Sequence, residues 1–330
     1  MLSIGIDISK EKVDVAVYDG RKFLLSKIYK NTTTGANAMI KEFANITDEV
    51  KYVMEATGTY YLTYAYTLYE KGCKVYVVNP LIIKRFGEMH LERVTTDKTS
   101  AKLIAMYGYI GNTRLFKPSS KIATKLKVLL KTIDSMTENI SINNNYIEAN
   151  IPYGEMCSDI ISGYKRVNRV LSKEIEKFEK QVQEIIDTNY KDLNKRLRSI
   201  PGIGKRIAPA LIGYFENFDN FENTSKISSY VGITPILKDS GKSVRKRKGI
   251  SKMGPSYLRK ILYMGALSAG VHNKQCKAMK IRMQEKGKFG KVIKVAIAHK
   301  LLKQAFAIGK YNRMYDPDYC NKKKEVLCLT

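Results

Sequence analysis

Three acids in this chain are spaced so that they could share one task. Asp7 lies in the apolar run Leu2–Ile8, Glu55 closes the short run that begins at Lys51, and Asp97 follows Thr95 and Thr96. The first two runs have the β-branched content and length of strands, and either threonine can cap a helix whose first turn carries Asp97. If the strands of Asp7 and Glu55 are neighbours, two strand-end carboxylates and one helix-start carboxylate can face a single point. Their repulsion would need a divalent cation, and Mg²⁺ held by carboxylates can position a phosphate and activate an oxygen nucleophile. Burying Asp7 alone is costly, so it is expected at an open strand edge or beside a metal. A plainer reading stands beside this one, because strand-end and first-turn acids often serve only as caps.

Two further stretches point to phosphate. Asp239-Ser240-Gly241-Lys242 reads as a hydrophilic turn, and Lys242, Arg245, Lys246, Arg247, Lys248 and Lys252 follow with almost no acid to balance them. A serine beside glycine can be exposed enough to attack phosphorus, with the cations stabilising the developing charge, although Ser-Gly is also a common loop pair. The second stretch is Ile200–Ala208, IPGIGKRIA. A helix starting after its glycines would leave Gly202 and Gly204 amides beside Lys205 and Arg206, a backbone clamp of the helix-hairpin-helix kind. Glycines that merely let two helices pack closely would look alike.

These residues need elements to hold them. Leu2–Ile8, Val13–Tyr18 and Lys22–Tyr29 read as a strand meander turned by Asp19-Gly20, then Thr34–Phe43 as helix, Lys51–Glu55 as strand, Tyr60–Tyr69 as helix and Lys74–Val78 as strand closed by Asn79-Pro80. The order β-β-β-α-β-α-β predicts a mixed sheet with helices, and Gly5-Ile6-Asp7-Ile8 lacks the glycine-rich turn of a dinucleotide fold. Ser120–Met136 reads as helix, and Asn143-Asn144-Asn145 with Pro152 as a hinge or connector. Leu171, Ile175, Phe178, Val182 and Ile185 recur at steps of four and three, either a short coiled-coil seam or an amphipathic helix against its own domain. Ser256–Ala269 and Lys291–Ile308 read as helices, and Tyr311–Thr330 as an extended, partly disordered basic tail.

Composition narrows the partner. The 58 Lys and Arg against 31 Asp and Glu leave a formal charge of +27, far beyond what solubility needs, so a polyanion is expected and nucleic acid is the first candidate. No apolar run is long enough to span a membrane, and Met1 opens straight into a strand, so an intracellular location is expected. The five cysteines, Cys73, Cys157, Cys276, Cys320 and Cys328, lack C-x-x-C spacing, and His90, His272 and His299 lack metal-ligand spacing. His299 reads as a packing histidine.

Taken together, GIDISKEKVDVAV, MEATGTYY, VVNP, TTDKTSAKLIA, RSIPGIGKRIA, SYVGITP and DSGKSVRKRKGISKMGPSYLRK resemble, in this order, transposases of the IS110 type. The resemblance implies an α/β RuvC-like (RNase H-like) mixed-sheet domain, a helical connector and a mainly helical carboxy-terminal domain. It implies an acidic DEDD set on Asp7, Glu55 and Asp97, with Mg²⁺, and a catalytic serine at Ser240. The family's fourth acid falls on Ser100, a departure that weakens the set. The division expected is 1–114 RuvC-like, 115–195 helical connector, 196–312 basic carboxy-terminal domain and 313–330 tail. The resemblance further implies donor and target DNA, a structured bridge RNA that pairs with both, dimers assembling into a tetramer, and a cytoplasmic, nucleoid-associated protein. A metal-dependent structure-specific nuclease, in which Ser240 only binds phosphate, and a catalytically silent nucleic-acid-binding protein are the alternatives.

Overall fold

The computed structural model of the chain describes residues 1–44, 49–90, 96–111, 113–240 and 244–319; for 237–240 and 244–248 the backbone alone is described. The chain forms two compact units, Met1–Pro118 and Ser119–Thr330.

The first unit is a five-stranded sheet built from β1 (Leu2–Ile8), β2 (Lys12–Tyr18), β3 (Phe23–Lys30), β4 (Val50–Glu55) and β5 (Val75–Val78), in the order β3-β2-β1-β4-β5. The meander β1-β2-β3 is antiparallel, and β4 and β5 join β1 in parallel, the mixed topology expected of a RuvC-like domain. Strand alternation divides the two faces. Ile4, Ile6, Val13, Val15, Tyr52 and Met54 pack with Ala36 and Met39 of α1 (Thr33–Phe43) and Tyr64 and Leu68 of α2 (Leu62–Glu70). The opposite face carries Gly5, Ala16 and Val53 and is covered by α3 (Pro80–Met89) and α4 (Asp97–Ile110). The Asn79-Pro80 pair, read as the end of a strand, also starts α3: Asn79 caps it, its side chain accepting from the Leu81 amide at 2.9 Å, and Pro80 occupies the first turn.

Close approach of α4 requires small residues on both sides. A Cβ on Gly5 would lie 2.2 Å from the Ala101 carbonyl oxygen and 2.3 Å from the Ala105 nitrogen, and one on Gly108 would lie 2.4 Å from Val53. Helix backbone therefore rests directly on the β1 backbone.

The second unit begins with a long helical hairpin, α5 (Lys121–Asn150) and α6 (Ser158–Asn189), joined by a 3₁₀ turn at Ile151–Cys157. Helix α5 does not stop at Met136, and the asparagine triplet is no hinge: Asn168 accepts from Asn143 and donates to Asn144, each at 2.8 Å, while Tyr146 stacks on Tyr164 at 5.6 Å. These contacts replace apolar packing between two antiparallel helices, so a polar run there is compatible with a continuous helix. Along the predicted seam, Val182 is buried and Ile175, Phe178 and Ile185 pack onto the core that also holds Leu126, Leu130 and Ile133 of α5. This part of the seam is satisfied within the chain, as the amphipathic-helix alternative anticipated.

The same core continues through α7 (Lys191–Arg198), α8 (Ile207–Phe215), α9 (Thr224–Val231), α10 (Ser256–His272), α11 (Lys274–Glu285) and α12 (Gly290–Tyr311). Between α9 and α10 the chain departs from the helical expectation as a two-stranded antiparallel ribbon, β6 (Pro235–Ser240) and β7 (Val244–Ile250). The described part of the tail is not extended: the Tyr315 amide donates to Ser199 and its hydroxyl to Asn273, and Lys274 pairs with Asp318 at 2.5 Å. Cys320 and Cys328 lie outside the described residues, and Cys73, Cys157 and Cys276 are free thiols. Among the described residues, no helix is long and apolar enough to cross a membrane.

Candidate active site

Asp7 sits near the carboxy-terminal end of β1, a central strand and not an edge, and is half-buried. Glu55 occupies the next rung after the Ile6 and Met54 pair, so the two acids end neighbouring parallel strands at one level. Thr57 donates a short hydrogen bond to Glu55. Helix α4 brings the third acid. Thr96 caps it with a reciprocal pair, its hydroxyl accepting from the Thr99 amide at 3.3 Å and its amide donating to the Thr99 hydroxyl at 2.8 Å, which fixes Asp97 in the first turn. Because α4 lies against Gly5, two residues before Asp7, its amino terminus brings Asp97 within electrostatic reach of Asp7.

The electrostatics record this gathering. Burial, then Glu55, Asp97 and Asp14, push the Asp7 carboxyl up to about 6. Asp14 is the acid that sequence reasoning missed. It stands directly across the β1-β2 ladder from Asp7 and is almost fully buried. An acid within the run Val13–Val17, VDVAV, otherwise valine and alanine, was the signal available for it. Lys12, two residues earlier on the same strand face, pairs with Asp97 at 2.7 Å and Asp14 at 3.4 Å. These bonds, to Asp97 first and then to Asp14, raise the Lys12 ammonium above its ordinary value.

All-oxygen carboxylate donors suit a hard cation such as Mg²⁺, and the Lys12 ammonium already sits between two of them as a cation, so the residues fit. Among the described residues, no three acids lie close enough together to share an ion. Ser100 lies one turn after Asp97 on α4, half-buried, with its amide bonded to the Thr96 carbonyl at 2.8 Å.

In the second unit, Ser240 is the last residue of β6 and pairs in register with Val244, while Asp239 pairs with Arg245 and Lys238 with Lys246. Arg245, Lys246, Arg247 and Lys248 thus all belong to β7, whereas Lys242 lies outside the described residues. The base of the ribbon is fixed. The Ser251 amide donates to Thr234, the Lys252 amide donates to Gly232, and Arg259 of α10 donates to the Val231 and Gly254 carbonyls at 3.0 and 2.7 Å. Lys252 itself is exposed, with φ of 57°.

The IPGIGKRIA stretch forms the predicted turn between α7 and α8, and its two glycines differ. Gly202 has φ of 106°, and a Cβ there would lie 2.6 Å from Ala269, so it serves packing on α10. Gly204 faces open space. The Ile207 and Ala208 amides bond to the Gly204 carbonyl, so Gly204, Lys205 and Arg206, all exposed, are what the turn offers a phosphate. Arg206 also pairs with Glu179 at 3.0 Å. His299 packs, bonding the buried Ser228 at 2.8 Å.

Comparison with known proteins finds transposase families over both the amino-terminal and the carboxy-terminal part of the chain. A transposase profile of the DEDD IS110 type matches residues 4–151, and one described as Transposase IS116/IS110/IS902 family matches residues 194–280. A pilin gene-inverting protein from Moraxella bovis is 32% identical over 95% of this chain and 97% of its own length. Its counterpart from Moraxella lacunata is 31% identical over the same shares. The RuvC structure from Thermus thermophilus aligns with 35% of this chain and 100% of that chain at 15% identity and a TM-score of 0.29, which adds nothing to the topology described above.

Proposed function

This chain belongs to the IS110/IS902 family of transposases and is a DNA recombinase, and we propose that it exchanges strands at specific sites through a serine nucleophile. The observation that carries the proposal is the placement of Asp7 and Glu55 on neighbouring strand ends, with Asp97 at the start of the helix packed against them and within electrostatic reach of Asp7, in a chain whose Ser240 ends a strand of the β6-β7 ribbon.

In the reaction we infer, the Ser240 oxygen attacks a backbone phosphorus. The bond to a deoxyribose oxygen breaks, the proton given up by the serine hydroxyl is balanced by the one that oxygen takes, and a phosphoserine link holds the cut strand. A hydroxyl from the partner strand then attacks the same phosphorus, releasing Ser240 and regaining the phosphodiester, so bond energy is retained. Asp7, Glu55 and Asp97 would hold Mg²⁺, which would supply charge neutralisation to a bound phosphate, the acids and Ser240 meeting within one chain or across protomers. Arg245, Lys246, Arg247, Lys248 and Lys252, with Lys242, bind the flanking backbone, and Gly204, Lys205 and Arg206 clamp it at a second place. Whether a segment is moved or inverted follows from the orientation of the sites, not from the chemistry. The inverting function in the two relatives' names is therefore compatible with this reaction.

Guidance by a structured RNA that pairs with both DNA partners, and assembly of dimers into a tetramer, complete the proposal. The charge of +27 supports polyanion binding and is indifferent to which nucleic acid is bound.

The experiment is direct. After reaction on end-labelled supercoiled DNA, denaturation and proteolysis should leave a DNA-linked phosphoserine peptide at Ser240 that vanishes in Ser240→Ala. Complete strand exchange by S240A would show that serine is not the nucleophile. Nicks without joined strands would favour the nuclease, and intact DNA the silent binding protein. RNA guidance is refuted if recombination survives RNase treatment and the co-purified RNA reflects only cellular abundance.

A further inference from the structure

The amino-terminal centre holds one carboxylate that the three-acid reading does not use. Asp14 is directly opposite Asp7 in the antiparallel register, and opposed residues of such a pair project to the same face with their Cα atoms roughly 4.5–5.5 Å apart. Like charges at opposed positions are unfavourable, and Asp14 is placed there with only 9% of its side chain exposed. A buried acid with a merely structural role should have a close partner that neutralises it. Among the described residues, the ion pair of Asp14 is with Lys12 at 3.4 Å, and that lysine is 47% exposed and bonds more closely to Asp97, at 2.7 Å. One ammonium therefore bridges two carboxylates whose oxygens, through the triangle at its nitrogen, lie about 6 Å apart or less. Two oxygens on opposite sides of one Mg²⁺ stand about 4.2 Å apart, so a small inward movement would let a divalent ion replace the ammonium. On the other flank, Ser100 offers only a neutral hydroxyl.

We propose that Asp14 is the fourth carboxylate of this centre, and that Lys12, bridging Asp14 to Asp97, holds the place of a divalent cation until one binds. The inference rests on the metal-dependent reading of the site. It makes Lys12 a competitor of the metal and not a ligand, swinging outward when the metal enters, as its long exposed stem allows.

The test is equilibrium Mn²⁺ binding to the full-length, metal-stripped protein at pH 7.5, read as loss of the free Mn²⁺ electron paramagnetic resonance signal, with melting curves to verify folding. Asp14→Asn should weaken binding by about tenfold or more, the scale on which metal sites respond to loss of a supporting carboxylate, while Ser100→Ala should change it by less than about twofold. Lys12→Met should tighten binding several-fold. If the wild type takes up no Mn²⁺, the metal-dependent reading and this inference fall together. If the wild type binds and Asp7→Asn abolishes binding, but D14N binds as the wild type does, only this inference is overturned. Should D14N fail to fold, K12M decides: tighter binding supports the displaced lysine, and unchanged or weaker binding overturns it.

Discussion

Gly5→Ala tests the contact that assembles the acidic site. The new Cβ would stand 2.2 Å from the Ala101 carbonyl oxygen, 2.3 Å from the Ala105 nitrogen and 2.8 Å from the Ala105 Cα, where ordinary contact begins at 3.4 Å. All three atoms are helix backbone, so no side chain can rotate away, and α4 must retreat from β1 by about 1 Å. Overpacking of this kind costs about 1–3 kcal/mol, and the backbone-on-backbone clash places Gly5 at the upper end. Asp97 begins the displaced helix, four residues before Ala101, so it moves away from Asp7 and Glu55. A misplacement of about 1 Å can cost about 100-fold in rate even when the fold survives. Urea denaturation followed by circular dichroism would measure the first effect, and single-turnover cleavage of a supercoiled substrate at a temperature where the variant is folded would measure the second. A G5A protein with wild-type midpoint and wild-type cleavage rate would refute the close seating of α4 and the account of how Asp97 reaches the site.

Asp7→Asn should stabilise the metal-free protein while abolishing recombination, because the folded state holds this carboxyl up at about 6 against an ordinary 3.8. Raised acid pKa means that the folded state binds the extra proton, so the stability it contributes is present at low pH and is lost as pH rises from about 4 through about 6. After discounting for partial exposure, D7N should gain about 1–2 kcal/mol at pH 7.5 in EDTA and much less near pH 4.5; equal melting shifts at both pH values would contradict the repulsion argument. Gly202→Ala should destabilise the second unit by about 2–4 kcal/mol, since it combines a left-handed φ with a 2.6 Å clash, while Gly204→Ala should stay within about 1 kcal/mol of wild type in denaturant melts. Lys205→Ala should lower the slope of log affinity against log salt for DNA by about one without changing stability, and an unchanged slope would remove Lys205 from the phosphate contacts.

The sequence by itself determined the elements of the first unit apart from α3, and the chemistry they could carry. Period-two apolar runs with one acid each can satisfy their pattern only as strands, a threonine before Asp97 can cap only a helix start, and an excess of 27 positive charges needs a polyanion. The glycine turn before α8 was equally legible, because helix interruption by Pro-Gly is local chemistry. Tertiary structure alone decided the rest. That Gly5 is a seat for α4 depends on a helix almost a hundred residues later, and that Asp14 faces Asp7 depends on hairpin register, which a shift of one residue would reverse. The strands Pro235–Ser240 and Val244–Ile250 were hidden because their lysines and arginines mask a strand pattern, and the segments flanking them are fastened by Arg259 and by the Gly232 and Thr234 carbonyls. The seam of α6 showed its apolar spacing in sequence but not its partner, because periodicity specifies a buried stripe and says nothing about which surface buries it.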